Sequence, residues 1–126
     1  MAKNWLAFKK GGLPVVMVRI ENERYHALFD TGAETSLIAP ELSLLLGLQR
    51  VRSQLVVGVT GQRELLPVVK IPTLEIALTE IPPSEAVVRN LNPLGLNVSL
   101  ILGVNAFANL RVQFDFTEGR VYLLDS

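Results

Sequence analysis

The apolar residues of this chain fall in short, β-branched runs, each stopped by glycine, proline or a polar cluster, and this punctuation restricts the fold to strands and tight turns. Leu13 to Ile20 is one run, broken by Glu21-Asn22-Glu23-Arg24 and resumed from Tyr25 to Phe29, which predicts a hairpin. Leu55 to Val59 and Leu65 to Ile71 predict a second hairpin around Thr60-Gly61-Gln62-Arg63-Glu64, with Gly58 and Gly61 beside its tip. Shorter strands are expected at Leu74 to Leu78 and Ala86 to Val88, with a loop at Asn90 to Asn97. A buried strand at Ser99 to Gly103 and a helical turn at Val104 to Leu110 follow, and the chain ends in a hairpin, Val112 to Phe116 and Arg120 to Leu124. One capped helix is expected from Pro40 to Gly47, with its leucines used for packing.

Residues 1–126 are the length of one domain, and no repeat or low-complexity tract divides them. Apolar residues make up 49% of the chain but aromatics only 6%, so the core must be built mainly from Leu, Val and Ile. Twelve basic residues balance twelve acidic ones without a block of either sign, which argues against nucleic acid or an anionic membrane as partner. The absence of cysteine removes disulfides, a thiolate nucleophile and zinc–cysteine sites, while the compartment stays open. No apolar run reaches the roughly 18 residues of a membrane helix, so the chain as given is expected to be soluble, whether complete or excised from a longer or anchored protein.

Within this β pattern, Asp30-Thr31-Gly32 follows the apolar Ala27-Leu28-Phe29 and precedes Ala33-Glu34-Thr35-Ser36. The first hairpin therefore delivers Asp30 at a strand end. A carboxylate hydrolase needs two such groups sharing one proton, one to activate water and one to polarise the scissile carbonyl. The other aspartates, Asp115 and Asp125, are not followed by Thr/Ser-Gly, so the second carboxylate must come from a second copy of the chain. Gly32 allows a tight turn and a backbone N–H close to the carboxylate. Thr31 is expected to offer a buried hydroxyl, Ala33 leaves room for substrate backbone, and Ser36 is expected to hydrogen-bond locally. Glu34 can meet substrate backbone or a basic residue of the second copy, such as Lys9, Lys10 or Arg111. His26, four residues before Asp30 in a strand, lies about 13 Å from it and is expected at the surface. With no Gly-x-Ser-x-Gly elbow and no clustered histidines, serine and metal hydrolysis are disfavoured, and no metal or cofactor is expected. Trp5 is expected to anchor packing near the start of the chain.

Four features in this order resemble the retropepsin-like aspartic proteases, the family of the retroviral enzymes and their cellular and bacterial relatives. They are Phe29 to Ser36, the hairpin at Gly58 to Gly61, Ile101-Leu102-Gly103 with Asn105 beyond it, and the terminal hairpin. The resemblance implies an all-β, closed acid-protease barrel with one or two short helices, active as a two-fold homodimer that cuts peptide bonds. It implies that Asp30 is the catalytic carboxylate, that Thr31 locks the paired loops, and that the Ile101 to Gly103 segment crosses beneath the catalytic loop. Gly58, Val59, Thr60 and Gly61 would tip a flap over the substrate, and Ile101, Leu102 and Val59 would line apolar subsites. The helix at Pro40 and the stretch from Thr79 to Val98 make the chain longer than the viral enzymes. Two other readings stay open: a silent dimerisation or peptide-binding module of the same fold, and a protease acting mainly on its own precursor.

Overall fold

A computed structural model of the chain describes residues 4–58 and 60–125. Twelve strands are formed among them: β1 (Trp5–Ala7), β2 (Val15–Ile20), β3 (Glu23–Phe29), β4 (Ser36–Ile38), β5 (Arg50–Val57) and β6 (Arg63–Ile71). After these come β7 (Leu74–Ile76), β8 (Thr79–Ile81), β9 (Ser84–Val88), β10 (Leu100–Leu102), β11 (Leu110–Asp115) and β12 (Arg120–Asp125). Helix α1 (Pro40–Leu45) follows β4, and 3-10 turns cover Asn92–Leu94 and Val104–Phe107.

The polar break after Ile20 makes a two-residue turn in which Glu21 and Asn22 both take positive φ, 51° and 70°, pairing Ile20 with Glu23. Positive φ at both turn positions matches the right-handed twist of the flanking strands, so the hairpin register is fixed locally. Strand β8, absent from the sequence reading, arises because Ala77 at φ 56° reverses the chain and sets Ile76 against Thr79. The second hairpin is longer than its apolar residues suggest, since Arg50 to Gln54 also pair with β6, through a register shift between Arg50 and Arg52.

The strands form a nine-stranded sheet in the order β5-β6-β9-β4-β10-β3-β2-β7-β8 and a three-stranded sheet in the order β1-β12-β11. Strand β10 lies parallel to β3 and antiparallel to β4, with Leu102 opposite Phe29 and Leu100 opposite Ile38. All three of its side chains are buried, so both faces of this strand are covered. The core around it is aliphatic: Val16, Val18, Ile20, Ile38, Ile71, Leu74, Ile76, Leu100 and Leu102 belong to one buried cluster.

All five phenylalanines join in one connected series. Phe8 meets Phe116 at 5.7 Å, Phe116 stacks on Phe114 at 5.8 Å, Phe114 reaches Phe29 at 6.3 Å, and Phe29 packs on Phe107 at 4.8 Å. This series ties the small sheet to the end of β3, where offset and edge contacts between rings add to the area they bury. Trp5 packs on Tyr122 and lies under the Arg120 guanidinium at 4.3 Å, as an anchor for the small sheet.

The helix is less buried than its leucines suggest. Leu42 and Ser43 face inward, whereas Leu44 and Leu45 are 83% and 72% exposed, because a six-residue helix at the surface presents only one short face to the core. Among the described residues, no helix is long and apolar enough to cross a membrane.

Leu100 is fully buried between β3 and β4. Leu100→Ala is expected to lower unfolding free energy by about 2–5 kcal/mol, measured by chemical denaturation followed by tryptophan fluorescence.

Candidate active site

The segment carrying Asp30 is held as a bridge. Strands β3 and β4 are separated by β10, so residues 30–35 must span two inter-strand spacings, roughly 9–10 Å, and pass over the end of the intervening strand. The backbone secures both sides of this span. Asp30 N–H donates to the Leu102 carbonyl at 2.9 Å, Val104 N–H to the Ala33 carbonyl at 2.8 Å, and Asn105 N–H to the Glu34 carbonyl at 3.2 Å.

Gly103 lies directly beneath. A Cβ there would stand 2.5 Å from the Ala33 carbonyl oxygen and 3.0 Å from the Thr35 carbonyl carbon, both backbone atoms with no rotamer to yield. Glycine is required at this position by close approach, and its φ of −93° is one that any residue adopts.

Above this support, Gly32 N–H donates to Asp30 Oδ1 at 2.9 Å, as expected from the motif. The bond fixes one carboxylate oxygen without a second side chain. Asp30 is half-buried, while Thr31, Gly32 and Glu34 are exposed. In one copy of the chain the tip of the bridge, Thr31 included, faces solvent. His26 is exposed, as expected.

Ser36 does not bond locally. It is fully buried, and both its N–H and its hydroxyl donate to Asn105 Oδ1 at 2.9 Å, while its Oγ accepts from Gly103 N–H at 3.0 Å. Asn105 Nδ2 in turn donates to the Glu85 carbonyl on β9 at 2.7 Å. Four groups from β4, β9 and the turn after β10 therefore close one polar network under the bridge. A buried hydroxyl gains more from such partners than from its own turn, since burial without them costs free energy. Asn105 is the residue that sequence reasoning undervalued. Its signal was present, an amide side chain two residues beyond the apolar strand and its glycine, but its partners lie 20 and 69 residues away in the chain.

Ile101 and Leu102 are 3% and 0% exposed, Leu102 in the main core and Ile101 in a second cluster with Leu28, Ala39 and Leu91. In the single chain both side chains lie in the core rather than at the surface. Full enclosure of β10 explains this, because neither of its faces meets solvent.

At the second hairpin, Gly58 N–H donates to the Gln62 carbonyl at 2.8 Å and Gly61 N–H to the Gly58 carbonyl at 3.0 Å, with Gly61 at φ 85°. The Thr60 hydroxyl bonds the Gln62 side chain. Val59, expected at this tip, lies outside the described residues. Behind the tip, Leu55, Val57 and Leu65 are 54%, 61% and 69% exposed, and Leu55 faces Leu65 across the ladder. Two surface clefts lie elsewhere. One of about 290 Å³ is lined by residues that include Leu6, Met17, Arg19 and Glu75, and neither it nor a neighbour lined by Ile20, Tyr25 and Leu46 includes Asp30.

A mostly β fold with an Asp-Thr-Gly bridge carried over an apolar strand and its glycine is the architecture of retropepsin-like aspartic proteases. The chain belongs to the aspartyl protease family, whose model matches residues 16–106. Its fold is similar to the crystal structure of a retropepsin-like aspartic protease from Rickettsia conorii, with 15% identity, a TM-score of 0.67, and coverage of 94% of this chain and 87% of that one. It is also similar to the solution structure of the simian foamy virus (mac) protease, with 15% identity, a TM-score of 0.54, and coverage of 75% and 91%. No curated protein sequence matches the chain.

Two substitutions probe the support of the bridge. Gly103→Ala is expected to cost about 1–3 kcal/mol, since the bridge must lift. Asn105→Ala is expected to cost a similar amount by stripping Ser36 and the Glu85 carbonyl of partners. Both are measured by denaturant unfolding, and amide exchange at residues 30–36 should rise in each folded variant.

Proposed function

We propose that the chain is an aspartic endopeptidase whose active site is shared between two copies, each supplying Asp30. The observation that carries this reading is the posture of that residue: a carboxylate oriented by Gly32 N–H, on a rigidly underpinned bridge whose tip is exposed in the single chain. Residues 1–126 serve as one protease domain contributing one half-site.

In the dimer, one Asp30 is ionised and takes a proton from water as the oxygen attacks the peptide carbonyl. The other, protonated, donates to the carbonyl oxygen, giving a tetrahedral diol. A proton then passes to the amide nitrogen, the C–N bond breaks, and a carboxylic acid and an amine leave. Thr31 and Gly32 meet their counterparts across the axis, Ala33 and Glu34 border the substrate backbone, and Ser36 with Gly103 holds the bridge. The hairpin of β5 and β6 closes as the flap through Gly58, Val59, Thr60 and Gly61. Its exposed Leu55, Val57 and Leu65 support a preference for large apolar residues flanking the cut. Catalysis by this scheme requires no metal or cofactor.

Incubation of wild type and Asp30→Asn with a mixed peptide library, followed by mass spectrometry across acidic to neutral pH, tests the reading. Asp30→Asn is expected to lose activity by at least roughly 100-fold. Intact peptides with both proteins at high concentration would instead favour a silent peptide-binding module. Because the site exists only in the dimer, specific activity should rise with protein concentration until dimerisation saturates.

A further inference from the structure

On the exposed face of the β2–β3 hairpin, Arg19 and Arg24 stand directly opposite each other as register partners on antiparallel strands. Like charges so placed are unfavourable, since the Cβ atoms of such partners lie about 4.5–5.5 Å apart. A third strand relieves only one of them. Glu75 on β7 is the register partner of Arg19 on its other side, and Arg19 Nη2 donates to Glu75 Oε1 at 2.5 Å. Arg24 has no such partner: among the described residues, the acids in ion pairs are Glu75, Glu85 and Glu118, each with another cation. Glu80 continues the row beyond Glu75, and with Glu21 it lines a second cleft that shares Arg19 and Glu75 but does not reach Arg24.

Both arginines line the cleft of about 290 Å³, together with Leu6, Met17, Glu75 and Ala77. Leu6 reaches it from β1 of the small sheet, Met17 from β2, and Ala77 from the turn that follows β7, so three separate elements wall it. Its volume is near the lower limit of about 300 Å³ for ligand clefts, which restricts the occupant to a small group. Two arginines and one glutamate leave the cleft a net single positive charge, so one negative charge balances it and two overshoot. The planar fork of arginine matches a carboxylate, and Arg19 keeps N–H donors beyond the one given to Glu75. Leu6, Met17 and Ala77 supply apolar surface for an aliphatic chain beside that charge.

We propose that this cleft binds a monocarboxylate with a short aliphatic body, its oxygens shared between Arg19 and Arg24 and its chain laid against Leu6, Met17 and Ala77. Two sources carry that chemistry: the free C-terminus of a peptide ending in an apolar residue, and a free aliphatic acid. The site is separate from the Asp30 bridge. Arg24 precedes Asp30 by six residues on an extended segment, which at about 3.3 Å per residue sets them roughly 20 Å apart. The inference therefore stands whether or not two copies share a proteolytic site.

Titration of the full chain with hexanoate, N-acetyl-leucine and hexylamine, followed by NMR, tests the proposal. A carboxylate should shift the Met17 methyl and the backbone amides of Arg19 and Arg24 saturably, whereas hexylamine, of matching length and opposite charge, should not. Saturation by N-acetyl-leucine alone assigns the site to peptide ends, by hexanoate alone to free acids, and by both to the shared chemistry itself. Arg24→Gln, at an exposed position, is expected to weaken carboxylate binding by roughly tenfold. Arg24→Lys, which keeps the charge without the fork, should recover part of that loss. Glu75→Gln leaves two positive charges in the cleft and should tighten the binding of hexyl phosphate, a dianion, by a larger factor than that of hexanoate. Asp30→Asn should bind the carboxylates as wild type does, so loss of peptide cleavage and loss of this binding are separate results. Three results would overturn the proposal: no saturable shift with either carboxylate, an equal response to hexylamine, or wild-type affinity in a folded Arg24→Gln protein.

Discussion

Everything at the site depends on one crossing: residues 30–35 pass over β10, and the only atom spacing that permits this is that of a glycine at 103. The Ala33 carbonyl occupies the volume a Cβ would need. That contact sets how close the bridge lies to the strand, and so whether Leu102 can accept from Asp30 N–H and Ala33 from Val104 N–H. The Ser36–Asn105 network closes the far side by the same proximity. The Asp30 carboxylate is placed by backbone bonds, a missing side chain and one buried amide.

Much of this arrangement was legible in the sequence. Asp30 at the end of a strand, Gly32 N–H on its carboxylate and the buried run at Leu100 to Leu102 all followed from local pattern and turn chemistry. The family resemblance placed Gly103 beneath the loop. What could not be read depends on distant partners. Ser36 looks like a turn serine until Asn105 arrives from 69 residues away. Strand β8 was hidden because its reversal uses Ala77 at positive φ, a conformation that composition does not announce. The helix leucines misled in the opposite sense, since Leu44 and Leu45 are apolar yet point away from the core.

The two sheets divide the labour. The large sheet builds the bridge and the long hairpin, while the small one is joined to it by a run of aromatic rings that ends on Phe29. Rings in edge and stacked contact resist sliding, because each must leave a shaped recess to move. The small sheet is thereby a firm mount on which the carboxylate segment rests, even though no residue of that sheet belongs to the Asp-Thr-Gly motif.

The wide separation of the groups that hold the bridge has a consequence for the order in which the molecule acquires it. The segment bearing Asp30 belongs to the first third of the chain, but the strand and the amide that shape it lie beyond residue 99. Contacts of such long sequence separation close late, after the loop entropy between them has been overcome. During synthesis the carboxylate loop therefore emerges long before its supports, and it remains unshaped while most of the chain is still being made. A nascent chain carries the motif without the geometry, so the shaped Asp30 bridge is withheld until β10 has threaded between β3 and β4.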